Sequence, residues 1–315
     1  ILDGDPPLIP LISVGITSPD QGRTIVRQQA EAGVDSIKTY SRLDKCVFLA
    51  ILDEAQKYDL PVAAHLPESV YLEDAAAAGL ASSEHFNGFE KVIAKLLGEP
   101  ARFYFVGQAA DAGYLARLGE VDPQELQAVY KRLGKSGLAV CPTVVPFKTL
   151  THISAIQGGN YPGSQYISQS VLELWKTLWA QQSDLPDFIW QNWMKMVVGL
   201  NQAGVPLMVG TDLMLPGIIP GFSVHEEMAI WQEAGIPAVD ILRSASIVPA
   251  HFMGLGERLG SVSAGKTASV LLVRGNPLED IRNAQQIEGL FLRGQYFSSD
   301  HLNQLLLDAV NLSQR

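Results

Sequence analysis

Four polar residues close short runs of apolar or small residues in this chain. They are Lys38 after Asp35-Ser36-Ile37, His65 after Val62-Ala63-Ala64, His85 after Ser83-Glu84, and Asp212 after Val209-Gly210-Thr211. In a parallel (β/α) barrel, side chains at the C-terminal ends of strands face the functional rim, so four such residues would converge. Two imidazoles, a carboxylate and an amine at one point suit Zn²⁺ or a similar divalent ion. Taken singly, each has a plainer reading. A strand-end His is more often a satisfied structural residue, an Asp before a loop a cap, and a Lys a snorkelling surface group. Their succession is what favours a shared site.

The elements that must position them read as alternating strands and crossover helices. Strands are expected over 8–14, 36–40, 61–66, 80–86, 138–145 and 207–212. Ser18-Pro19-Asp20-Gln21 is a capping box with Pro at the first helical position, and Asp122-Pro123-Gln124-Glu125 is a second. Helices are expected from those boxes, over 44–58 and 68–78, across a Trp-rich region at 165–203, and from Ser223, which opens a further box, and Pro237. The stretch from about 90 to 121 reads as a packed insertion or lid, and 149–163 as a loop. From about Leu259 the texture becomes Gly-punctuated strands before a terminal helix over 299–311.

Composition narrows the function classes. Hydrophobic residues are 47% and charged residues 18% of 315, enough for a large core and against general disorder. The net charge of −10, with Lys and Arg dispersed, argues against nucleic acid as a partner. Cys46 and Cys141 form no CxxC or Cys/His cluster and read as buried free thiols. No apolar run is long enough for a transmembrane segment. The chain therefore reads as soluble, but it starts at Ile1 rather than Met, which leaves its compartment, cytoplasmic or exported, open. A homo-oligomer is compatible with all of this.

Ala32-Gly33-Val34-Asp35-Ser36-Ile37-Lys38, Val62-Ala63-Ala64-His65, Ser83-Glu84-His85 and Gly210-Thr211-Asp212 occur in an order that resembles the amidohydrolase superfamily. Within it, the pattern is most similar to imidazolonepropionase-related and prolidase-like metal-dependent hydrolases. Leu259-Gly260-Ser261-Val262, Gly265-Lys266 and the segment Gly275-Asn276-Pro277-Leu278-Glu279-Asp280-Ile281 look like that family's C-terminal strands. The resemblance implies an α/β fold, a (β/α)8 TIM-type barrel with about six of its strands present, and part of a small β-sandwich. The implied organisation is a hydrolase barrel over 1–258 holding strands three to eight, the C-terminal part of the sandwich over 259–298, and a terminal helix over 299–315.

The same resemblance implies two divalent ions, zinc first among them. Lys38 would be carboxylated to bridge them, with His65 and His85 on one ion and Asp212 on the other. The substrate would be a small molecule with an amide-like C–N bond: a dipeptide, an N-acyl amino acid or a cyclic amide. Asp212 would shuttle the proton during attack by metal-activated hydroxide. The family's His-x-His pair has no counterpart, since no two of the six histidines are separated by one residue. That departure reads as a chain lacking the first strands.

His225 follows a Pro- and Gly-rich loop after Asp212 and is a candidate substrate contact, with a plain helix-start His equally favoured. His152 and His251 read as partnerless loop and helix residues, and His301 as part of the terminal amphipathic helix. Trp175, Trp179, Trp190 and Trp193 read as core, whereas Tyr104, Phe147 and the insertion over about 90–120 could wall a pocket, and Thr143, beside Pro142 at a strand end, faces the rim. Two competing readings stay open. One is an inactive fragment or binding scaffold descended from such hydrolases. The other, weaker, is a Schiff-base aldolase using Lys38, which leaves His65, His85 and Asp212 unexplained.

Overall fold

The computed structural model describes residues 1–100, 113–154, 163–180, 184–213 and 215–314. Two compact units divide it: Ile1–Pro142 with Lys195–Met208, and Thr143–Met194 with Val209–Arg315.

The first unit is a parallel six-stranded sheet with helices between its strands. Its strands are β1 (Leu2–Gly4), β2 (Val14–Ile16), β3 (Ile37–Thr39), β4 (Val62–Ala64), β5 (Ser82–Glu84) and β6 (Ala139–Cys141), in the order β2-β1-β3-β4-β5-β6. Leu207 adds a parallel bridge to Val140 beyond β6. Parallel neighbours need crossovers, and these are α1 (Pro19–Glu31), α2 (Lys45–Gln56), α3 (Leu72–Ala77) and the group α4 (Phe89–Leu96), α5 (Gly113–Ala116) and α6 (Pro123–Ser136). Both capped starts form: the Ser18 hydroxyl accepts from the Gln21 N–H, and Asp122 accepts from the Gln124 N–H. Leu2, Ile37, Phe48, Ile51, Leu66, Leu72, Phe89 and Ile93 are almost fully buried in this unit. Each such side chain contributes about 1.5–3 kcal/mol through burial.

Several expected boundaries move. Residues 8–13 are turn, not strand, and Leu11 is 97% exposed; the pairing falls instead on Leu2–Gly4 and Val14–Ile16. Apolar composition alone misled there, because a short apolar run carries no periodicity. The strand at 138–145 ends at Cys141, and Val144–Leu150 is helical. The stretch after 88 opens with an amphipathic helix, α4, rather than irregular chain; Tyr104 and residues 101–112 lie outside the described residues, as do 155–162 of the expected loop. Cys46 is exposed and Cys141 half-buried, so the two cysteines form no disulfide with each other but neither thiol is fully buried.

The second unit holds α7 (Val144–Leu150), α8 (Gln169–Trp179), the start of α9 (Asp187–Gln202), α10 (Ser223–Glu233), α11 (Ala238–Ser244) and α12 (Ile247–Phe252). An antiparallel sheet follows, β7 (Val270–Val273), β8 (Ile287–Leu292) and β9 (Gln295–Ser298), and then α13 (Ser299–Ser313). The β8–β9 turn places Arg293 at φ +51° and Gly294 at φ +87°, the two positive angles a tight hairpin demands. Trp175 and Trp193 are buried, as a core role requires. The start of α10 is not a capping box: the Ser223 hydroxyl accepts from the Ile219 N–H instead. No described helix is long and apolar enough to cross a membrane.

Candidate functional site

The first unit brings Lys38, His65 and His85 to one end of its sheet. Lys38 pairs in register with Ala63, and Ala63 with Ser82, so these residues share one face. Alternation carries that face to His65, one step past β4, whose N–H donates to the Thr39 carbonyl at 3.1 Å. His85, one step past β5, should by the same parity point to the other face, since Ser82 and Glu84 already occupy this one. It does not. His85 adopts φ +56°, a left-handed angle uncommon for residues other than glycine, and its ring lies with its centroid 4.6 Å from that of His65. Phe86 repeats φ +56°. Such angles cost roughly 1–3 kcal/mol each and persist where the surroundings enforce them. Here the Ser83 hydroxyl donates to the Asn87 carbonyl, and the Asn87 N–H to the Glu84 carbonyl.

Both imidazoles are held neutral. Burial, then the positive charge of Lys38, then His85 drive His65 far below the ordinary imidazole range. Burial and Lys38 push His85 down to about 3. The Nδ1 atom of His65 is buried with no hydrogen-bond partner. An orphaned buried ring nitrogen is expensive, so its presence asks for a ligand. Neutral imidazoles are the ligating form for a divalent cation, and the pair fits one on that ground. Among the described residues no group of three or more His, Cys, Asp or Glu side chains is arranged to hold a metal.

Tyr40 belongs to this cluster, its ring centroid 4.1 Å from that of His65. Sequence reading passed over it, although the period of two from Lys38 places residue 40 on the same face.

Asp212 and His225 lie in the second unit. Asp212 is another non-glycine residue in the left-handed region, at φ +49°, four residues after the Met208 N–H that donates to Val140. His225 sits in the first turn of α10, with its Nδ1 buried and without a partner, and burial lowers its pKa. His152 is not partnerless: its Nδ1 lies 2.6 Å from the Thr151 hydroxyl. Two residues on from His225, the fully buried Glu227 carboxylate accepts from the N–H groups of Val144 (2.9 Å) and Val145 (2.6 Å) and from Trp231 Nε1 (2.9 Å). Those contacts hold the start of α7, just after Thr143, which is itself at φ +46°.

Three solved structures set this architecture among known ones. A bottromycin amidohydrolase superposes with a TM-score of 0.77 at 21% identity, covering 99% of this chain and 66% of its own. A prolidase complexed with N-methylphosphonate-L-proline gives 0.58 at 21%, covering 91% of this chain and 60% of its own. An A. niger ochratoxinase gives 0.56 at 18%, covering 91% and 56%. At these identities the likeness is one of fold, and the chain spans less than two thirds of each structure's length. No curated protein sequence matches the chain. The amidohydrolase family does match, over residues 45–296, a span that takes in His65, His85, Asp212 and most of the antiparallel sheet. The chain belongs to the amidohydrolase family.

Proposed function

We propose that the chain carries a metal-dependent hydrolytic centre that cleaves an amide-like C–N bond in a small substrate such as a dipeptide, an N-acyl amino acid or a cyclic amide. The observation that carries this reading is the pair of buried neutral imidazoles, His65 and His85, in ring contact beside Lys38, with one ring nitrogen unsatisfied. That is a costly arrangement for folding alone and a suitable one for binding a cation.

Lys38, His65, His85 and Asp212 would hold two divalent ions, zinc first among them. When bound, such ions polarise the scissile carbonyl and lower the pKa of water towards 7. The chain's own residues supply the rest. A neutral Lys38 amine would add to carbon dioxide with loss of a proton, and the resulting carbamate would be an anionic ligand for such ions. Asp212, in the role that the family resemblance gives it, accepts a proton at its carboxylate as water attacks and returns it to the departing nitrogen. The orphaned Nδ1 of His225 is a hydrogen-bonding group for substrate.

Amide substrates are favoured by the family and by the prolidase and amidohydrolase among the structural relatives. The test is direct. The purified chain is supplied with zinc and bicarbonate, its metal content measured, and Xaa-Pro dipeptides, N-acyl amino acids and cyclic amides are offered. About two zinc ions per chain and turnover of one class support the proposal. Absence of bound zinc would overturn it in favour of an inactive scaffold, and a borohydride-trapped adduct at Lys38 would favour an imine-forming enzyme.

A further inference from the structure

Lys91 is a cation with almost no access to water. It is the third residue of α4, is 2% exposed, and donates from Nζ to the carbonyls of Pro67 (2.5 Å) and Val70 (2.8 Å). Among the described residues no carboxylate forms an ion pair with it. An ammonium taken out of water carries a desolvation cost that an apolar side chain of the same length would not, and its two carbonyl acceptors and the nearby carboxyl groups of Glu90 and Glu68 oppose that cost. So costly a placement points to a role in holding the groups it binds.

The placement of its two acceptors supplies the account. Pro67 and Val70 belong to the segment that follows His65, whereas Lys91 opens the helix that follows His85. The two segments are also in contact at Gly88, whose φ is +98° and whose Cβ, if it had one, would lie 2.6 Å from Leu66 Cδ2. Between His85 and Gly88 runs the left-handed turn that swings the His85 ring across the pleat. One ammonium thus ties the exit of one histidine strand to the exit of the next.

We infer that Lys91 is a positioning residue that sets the mutual placement of the His65 and His85 imidazoles by clamping the segments behind them. The inference concerns the site proposed above, and its primary test does not need that proposal to hold. In the full chain without metal, Lys91→Met preserves length and removes both donated hydrogen bonds. The ring ¹⁵N and ¹³C resonances of His65 and His85, assigned by their single replacements, should shift while those of His251 and His301 stay put. A change in stability alone moves no folded-state resonance. Should Lys91→Met fail to fold, Lys91→Arg keeps the charge and displaces the donors, and the same two rings should shift. Unchanged His65 and His85 resonances in the folded variant overturn the inference. With zinc, affinity should fall about 10–100-fold in Lys91→Met. If the resonances shift yet the parent binds no zinc, positioning stands and the metal reading falls.

Discussion

Two buried ionisable clusters lie in the two units, and they differ in how the chain completes them. In the second unit the Glu227 carboxylate is saturated, with three N–H donors from Val144, Val145 and Trp231. In the first, His65 and His85 lean on each other beside a cation, with the His65 Nδ1 given nothing to bond. Burial displaces the pKa values in both places, yet a closed hydrogen-bond set reads as architecture and an open one as a place for something from outside. Perturbed ionisation marks candidate sites, and the state of the remaining lone pairs sorts them.

The comparison breaks most sharply under substitution of the open cluster. His65→Ala should abolish zinc binding and activity while leaving the melting temperature of the apo protein unchanged or raised, because an unpaired buried nitrogen is removed. Lys38→Ala should lose the bridged pair; metal analysis that finds the parent's stoichiometry would argue against carboxylation. Asp212→Asn should retain metal and lose about 10²–10⁴-fold in kcat, the range for a general acid–base group. Parent-like turnover would remove Asp212 from the proton path.

The closed cluster should answer in stability. Glu227→Ala strands three buried N–H groups, at about 1–3 kcal/mol for each one that finds no water. Denaturant titration should therefore show a loss of about 3–5 kcal/mol. A loss below about 1 kcal/mol would mean that the network is not structural.

Opposite pH slopes are the finest expected distinction. Between about pH 3 and 6.5 an unfolded histidine takes up a proton that folded His85 refuses, so this group's contribution to apo stability rises with pH across the window. Burial, opposed by its three donors, pushes Glu227 up from 4.5 to about 8. Between those values the folded chain keeps a proton that the unfolded chain has lost, and the contribution falls as pH rises. Melting temperatures against pH should flatten on the acid side in His85→Gln and on the alkaline side in Glu227→Gln. An identical profile in either variant would contradict the corresponding assignment.

Much of this is legible in the amino-acid sequence. Ser18-Pro19 and Asp122-Pro123 announce helix starts because capping is a local hydrogen bond and Pro presets φ. The strand ends at Lys38 and His65 were legible because a polar residue closing an apolar run sits where a parallel sheet meets its rim. Local pattern failed at 8–14, where pairing partners, and not composition, decided which residues extend. It failed again at 144–150, where Glu227, more than 80 residues away, secures the start of a helix in a run that reads as strand.

Composition, order and spacing by themselves determined the alternating α/β class and the residues worth watching, since these depend on periodicity and on neighbours within a turn. Only the tertiary structure decided that His85 faces His65. Strict alternation would have turned it away. The left-handed turn through His85 and Phe86 sits where Gly88 meets Leu66 and Lys91 grips Pro67 and Val70, contacts between segments that no local rule brings together.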